Sequence, residues 1–376
     1  MIEWIFWLSL FGAVYSYFLY PLLLSVVPVR RKPEQPKGET AFPRISLIVT
    51  AHNEESRIET KLKNCLELQY PDLEIIVASD ASTDATDEIV KAYSHDNVVL
   101  ARAEERKGKE YAQWQAIQRA SGEILVFSDV ATEIPNEALK RLSHYFQNND
   151  VGAVSSEDRF VSRDGQVAGE GAYVKYEMWL RKLESHRSGL VGLSGSFFAA
   201  RKSVCLDWDI ESPSDFNTAL NCAKSGMVAV TAPDVLGYYS DVSDPQKEYN
   251  RKVRTVIRGM TALERHPEVL NPARFGWFSF QVISHKLMRW AVPWCLMVLF
   301  MASLLLNYKG GIYSLATWCQ YLFYGVVIAG HFKQSLLSRT FVKIPYFFVQ
   351  VNIAIAKASI EFAQGKRMTV WTPSQR

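Results

Sequence analysis

The sequence predicts an α/β fold, a mostly parallel sheet covered by helices, joined to transmembrane and interfacial helices. Three observations predict it. Between Pro43 and Thr231 short β-branched runs alternate with helical ones, the pattern of strand–helix–strand units. Charges are absent from residues 4–29, 290–308 and 310–330, while the chain between is ordinarily polar. The residues that follow the strands are rich in carboxylates, amides and hydroxyls, where a parallel sheet binds its ligands.

Composition narrows the classes. With 42 Lys and Arg against 39 Asp and Glu, the net charge of +3 is too small for a nucleic-acid-binding chain. A charged fraction of 22% beside 48% hydrophobic residues excludes a disordered scaffold. The mean hydropathy of −0.05 averages a polar domain with membrane segments. Five cysteines, widely spaced and two of them in apolar runs, support neither a disulfide framework nor a zinc site. Reduced cysteines suit a catalytic part in the cytosol.

Taken in order, residues 1–29 read as an N-terminal transmembrane helix. The apolar run is too long for a signal-peptide core, has no basic residues before it and no small-residue cleavage site after it. Arg30, Arg31 and Lys32 follow it directly, so the positive-inside rule places the N-terminus outside. Residues 30–43, rich in Pro and charge, form a linker. Residues 44–265 form the soluble domain, with strands expected at 45–51, 73–79, 97–103, 123–129, 151–156 and 227–232, and helices at 54–68, 84–93 and 109–120. Residues 266–290 mix aromatics with His285, Lys286 and Arg289, the composition of an interfacial helix. Residues 291–330 form a transmembrane hairpin turning at Lys309 and a Gly-Gly pair. In residues 331–376, the stretch 345–364 contains Lys357 and Glu361 and has cations on both flanks. An interfacial or re-entrant helix with a cytosolic tail is preferred there over a further crossing.

The candidate site lies at the carboxyl ends of the strands. His52-Asn53-Glu54-Glu55 follows the first, Asp80-Ala81-Ser82-Thr83-Asp84 the second, and Asp129 to Glu133 the fourth; Lys107-Gly108-Lys109 opens the third helix. Each loop alone reads equally as a helix cap. Together they supply acceptors for ribose and base, a carboxylate for a divalent cation and ammonium groups for phosphate, which is the chemistry of a nucleoside diphosphate. No glycine-rich phosphate loop is present, which disfavours dehydrogenases, kinases and ATPases.

In this order and spacing the motifs resemble the inverting glycosyltransferases of family 2, with the GT-A nucleotide-diphospho-sugar fold, in their membrane-anchored bacterial exopolysaccharide branch. The resemblance runs from about Ile45 to Gly259. Through VTAHNEE it implies that Ala51 and Glu54 line the nucleoside pocket. In ASDASTDAT, Ser79 replaces the first of a usual Asp pair and leaves Asp80 as the base or ribose contact. RKGKEYAQWQA points to Lys109 at the nucleobase. FSDVAT stands where the family has Asp-x-Asp: Asp129 is kept as the ligand for Mg2+ or Mn2+, Ala131 replaces the second Asp, and Glu133 is two residues further on. In VGLSGSFFAARKSV the resemblance implies a glycine loop and a following strand, with Gly195 and Ser196 at the acceptor or sugar pocket. Asp215 of ESPSDFNTAL matches the general base, with Asp209 and Glu211 as nearby alternatives and a helix N-cap as a competing or additional role. Arg251 and Arg254, with Arg258 on the same predicted helix, match a cluster that neutralises the leaving diphosphate; a solvated face is the alternative. The Gln-x-x-Arg-Trp motif of processive synthases is missing, and VWTPSQR resembles a loop that some membrane-embedded members swing toward the active site, which implies Trp371 at the acceptor or sugar pocket; a disordered tail is the alternative.

The resemblance thus implies an inverting hexosyl- or N-acetylhexosaminyltransferase of the bacterial inner membrane, multi-pass, with its catalytic domain cytosolic. Its donor is a nucleoside diphosphate sugar, UDP-linked, and its acceptor a membrane-associated glycan such as one carried on polyprenyl diphosphate. The alternatives are a processive synthase that also translocates its product, and an inactive nucleotide-sugar-binding subunit of a membrane assembly.

Overall fold

A computed structural model describes residues 1–29, 42–161, 172–240 and 245–368. Most of the linker expected at 30–43, and Trp371, lie outside the described residues. The chain divides into two compact units. One comprises residues 1–26, 244–257 and 282–367, the other residues 27–243, 258–281 and 368–376.

In the second unit, seven strands form one sheet: β1 (Ile45–Ala51), β2 (Leu73–Ser79), β3 (Val98–Arg102), β4 (Ile124–Asp129), β5 (Val151–Val161), β6 (Phe197–Arg201) and β7 (Val228–Ser240), in the order β3-β2-β1-β4-β6-β5-β7. β1 to β4 run parallel, and β6 is antiparallel to both β4 and β5. Every residue of β1 is buried, as expected of a strand with both faces covered. On one face, Ile58, Leu62 and Cys65 of helix Ile58–Leu66 pack against Leu47, Val49 and Val77. On the other, Ala112, Ala116 and Ile117 of helix Lys109–Arg119 pack against Ile48, Ile76 and Phe127. Small side chains at helical spacing bring that helix close to the sheet.

Three differences from the expected elements have physical reasons. β7 runs to Ser240 instead of stopping at 232, because Pro233 and Asp234 sit where the pairing with β5 slips: Ser155 faces Thr231 while Glu157 faces Leu236. β7 is the last strand in the sheet order, and at such an edge an irregularity in the ladder accommodates a proline. β5 likewise continues past 156 through Glu157, Asp158 and Arg159, charged residues that alternation and hydrophobicity do not signal as strand. Helix Pro245–Arg265 is continuous, yet the compact soluble unit excludes its residues 245–257, whereas the sequence boundary of 44–265 includes them.

In the first unit, helix Ile2–Val14 passes through a π turn, Tyr15–Leu19, into helix Tyr20–Val26. Phe6 and Ala13 pack with Leu299, Ala302 and Leu306. A Cβ on Gly12 would lie 2.5 Å from Cys295 Sγ, so glycine permits this close approach. Glu3 pairs with Lys309 Nζ at 2.6 Å, which brings the N-terminal end and the hairpin turn to the same end of the unit. Among the described residues, four helical stretches are long and apolar enough to cross a membrane: Ile2–Val26, Trp277–Lys309, Gly311–Phe332 and Thr340–Ala363. The segment expected as a separate interfacial helix at 266–290 instead runs from Trp277 directly into the first hairpin helix, through a π turn at Ile283–Leu287. The Lys357 ammonium of the last helix lies over the Tyr249 ring, 5.6 Å from its centroid.

Candidate active site

Strand register assembles the rim. Ala51 is paired with Ser79, and Thr50 with Asp129, so β1, β2 and β4 end at one level. β6 runs antiparallel beside β4, with Phe197 opposite Ser128, and so carries Ser194, Gly195 and Ser196 to the same rim. The backbone N–H of Asp129 donates to the Ser196 carbonyl at 3.0 Å.

Asp80, fully buried, accepts hydrogen bonds from the backbone N–H groups of Lys107 and Gly108, each at 3.1 Å. These bonds tie the end of β2 to the turn that starts helix Lys109–Arg119. Gly108 has φ +104°, a left-handed conformation that glycine adopts without penalty. From this turn the Lys109 ammonium reaches Asp129 Oδ1 at 2.5 Å and the Gly195 carbonyl at 2.9 Å. Asp80 and Lys109 were expected at the base and ribose; in this structure they form a chain from β2 through the turn to β4.

Asp215 lies beyond Gly195: a Cβ placed on that glycine would sit 3.5 Å from an Asp215 carboxylate oxygen. The alternative role as N-cap is corrected. Helix Ser214–Lys224 starts one residue before Asp215, is capped by Pro213 and has no side-chain cap hydrogen bond. The Asp215 carboxylate is therefore not spent on the helix end. Its nearby alternatives are engaged. Asp209 takes hydrogen bonds from Arg265 and Ser212, and Glu211 pairs with the same arginine. Burial acts to raise the Asp209 carboxyl, but the adjacent His266 ring, 3.3 Å away, and its bonds to Arg265 and Ser212 hold it well below the usual carboxylate range.

Glu54 is buried; burial pushes its carboxyl up, against the pull of Arg57, which pairs with it at 2.6 Å. Ala51 is buried at the end of β1. Ser196 donates to Asp158 at 2.7 Å, and Ser194 does so at 2.6 and 2.7 Å. Burial pushes the Asp158 carboxyl up despite these bonds. Arg251 pairs with Glu248 at 2.8 Å and, with Arg254, lies in the part of the helix that belongs to the first unit. Arg258 belongs to the second unit. It pairs with buried Glu110 at 2.7 Å, and Glu110 also accepts from the N–H of Ser214, the residue before Asp215.

Sequence reasoning did not single out Asp158, Glu110 or Lys61. The signal for Lys61 was available: at helical spacing it falls on the face of Ile58, Leu62 and Cys65, and it is buried there with Nζ donating to Ser128 Oγ at 2.8 Å and to the Thr132 carbonyl. Burial pushes its ammonium down.

The donors around Asp129 bear on the expected Mg2+ or Mn2+. Among the described residues, no group of three or more His, Cys, Asp or Glu side chains is gathered to hold a metal. Ala131 offers no ligand, Glu133 is exposed with its backbone bridged to Tyr238, and Asp129 is paired with Lys109. The one carboxylate that a divalent cation could share with substrate phosphates is thus taken by an ammonium, and the set as it stands does not fit a metal.

A mostly parallel sheet whose acidic strand ends meet a Gly-Lys turn at one rim is the GT-A nucleotide-sugar transferase architecture. Residues 46–205 match the family described as glycosyl transferase family 2, and this part of the chain is a domain of that family. The chain is 28% identical over 203 residues to a beta-monoglucosyldiacylglycerol synthase of Nostoc sp., covering 51% of this chain and 43% of that protein. It is 26% identical over 215 residues to a poly-beta-1,6-N-acetyl-D-glucosamine synthase of Staphylococcus aureus, covering 55% and 50% respectively. The chain thus spans about half the length of these curated relatives. A solved mannosyltransferase of Pyrobaculum calidifontis, in complex with GDP-Man and Mn2+, has a similar fold, with a TM-score of 0.73 over 98% of this chain and 100% of the other; at 21% identity the likeness is one of fold.

Proposed function

We propose that the chain is an inverting glycosyltransferase that moves a hexose or N-acetylhexosamine from a nucleoside diphosphate sugar, UDP-linked, to a lipid-linked acceptor at the membrane surface. The observation that carries this reading is the convergence of Asp129, Lys109, Gly195 and Asp215 at one rim of the sheet. Ala51, Glu54 and Asp80 border the nucleoside, Asp129 and Lys109 face the diphosphate, and Gly195 and Ser196 border the sugar. Asp215 takes the proton of the acceptor hydroxyl as it attacks the anomeric carbon from the side opposite the leaving nucleotide. No step is assigned to a divalent cation.

The apolar helices support an acceptor that resides in the bilayer, and two relatives are named for a glycolipid and a polysaccharide product. An acceptor on polyprenyl diphosphate is one such lipid. The cationic flanks support a bacterial inner-membrane protein with its N-terminus outside and its soluble domain cytosolic. A second reading, a processive synthase, is favoured by the relative named as a polysaccharide synthase. Nucleotide release by protein in lipid, across UDP- and GDP-sugars, tests the first reading, and product length separates the two. Absence of nucleotide release with every donor would overturn both.

A further inference from the structure

We propose that Lys109, rather than a divalent cation, is the positive charge that Asp129 holds against the donor's diphosphate, so that nucleotide binding needs no metal. This rests on the nucleotide-sugar reading above and changes its electrostatics.

A hard divalent cation at a diphosphate is commonly held by one or two carboxylates together with substrate phosphates, and because residue 131 is alanine the Asp-x-Asp position offers Asp129 alone for that role. Geometry then assigns that carboxylate. The Lys109 ammonium lies 2.5 Å from Asp129 Oδ1 and 2.9 Å from the Gly195 carbonyl, with its side chain 9% exposed. An ammonium has three N–H donors. Two are fixed by Asp129 and Gly195, which leaves the third for a phosphate oxygen. A divalent ion placed on Asp129 would face this ammonium at close range, and like-charge repulsion opposes its binding.

The arrangement is built in from both ends. The Gly108 turn that presents Lys109 is held through its backbone by Asp80. The loop that presents Asp129 is held by a second amine: Lys61 Nζ bonds Ser128 Oγ and the Thr132 carbonyl on either side of the residue 131 position. Two lysines thus organise the loop that in an Asp-x-Asp enzyme a metal would organise.

The test is nucleotide binding by the full chain in lipid nanodiscs, measured by calorimetry with UDP and GDP in EDTA and in Mn2+. Wild type should bind in both buffers with affinities within about twofold of each other. Lys109→Met should weaken binding in EDTA by about tenfold or more, and Lys109→Met combined with Ala131→Asp should recover it in Mn2+ alone. Wild-type binding that appears only with Mn2+, equal binding by Lys109→Met in EDTA, or no nucleotide binding in either buffer overturns the proposal. Sugar transfer that requires Mn2+ would overturn it while leaving the transferase reading intact. Metal-free nucleotide binding without transfer from any donor would do the reverse.

Discussion

Asp215 and Asp209 flank the same turn, and their partners separate their roles. Asp209 is locked by Arg265, Ser212 and His266, while Asp215 is half-buried beside Gly195 and free of any capping duty. Asp215→Asn should lower transfer by about 10²- to 10⁴-fold, the usual worth of a general base, with nucleotide affinity unchanged. Steady-state rates with parallel calorimetry check this, and a loss of affinity in place of rate would reassign the residue to binding. Asp158 leads to a different prediction. Its carboxyl is raised above its ordinary value of 3.8 by burial, so any stability it contributes is present below that value and lost as pH rises through the folded value. Asp158→Asn should therefore melt higher than wild type at neutral pH, and the gap should close on acidification toward the ordinary carboxylate range. A lower melting temperature at neutral pH would contradict this. Asp215 and Asp129 stand out in the sequence as candidates because each lies in a motif. Asp158 does not, because its significance comes from Ser194 and Ser196, which reach it from a loop distant in sequence.

At the scale of elements, helix Lys109–Arg119 is the piece that joins the parts of the site. Gly108, with φ +104°, lets the Lys107 and Gly108 N–H groups meet Asp80. Gly108→Ala should cost about 1–3 kcal/mol of stability through backbone strain, read by denaturant unfolding, and should also weaken nucleotide binding. The next residue, Glu110, anchors the helix to Arg258 and to the start of helix Ser214–Lys224. Both partners are nearly inaccessible to solvent. Arg258→Met should destabilise by about 3–5 kcal/mol because it strands a buried carboxylate, and adding Glu110→Leu should restore most of the loss. Additive losses in the double variant would show that the two do not act as a pair. The parallel strands and their helices were readable from period and residue type. The extension of β7 was hidden by Pro233, a turn residue that a slip in register accommodates, and the polar end of β5 by its lack of an apolar pattern. The cation cluster 251–258 read as one helical face, but Arg258 is drawn into the soluble unit by Glu110, a partner that helical spacing does not reveal.

Across the whole molecule, charge distribution sets the expected topology. The Glu3–Lys309 pair places the N-terminus and the hairpin turn at one end of the apolar unit, and in the proposed topology the cations after residue 29 are cytosolic. A membrane-impermeant thiol reagent applied to intact cells should label Glu3→Cys and Lys309→Cys alike and leave a cysteine introduced into the soluble domain untouched. Labelling of only one of the first two would contradict the pairing. Length and composition alone admit a crossing by Thr340–Ala363, which the cationic flanks argue against; a cysteine at residue 367 in the same assay reports the side on which that helix ends. Sugar transfer to a lipid acceptor with Asp215 as base can be read from protein reconstituted in bacterial lipid and supplied with single UDP- and GDP-sugars, the extracted lipids being weighed by mass spectrometry. Wild type should add the mass of one hexose or N-acetylhexosamine to a lipid-linked acceptor, and Asp215→Asn, though it still binds nucleotide, should not; equal product from both proteins would contradict the account.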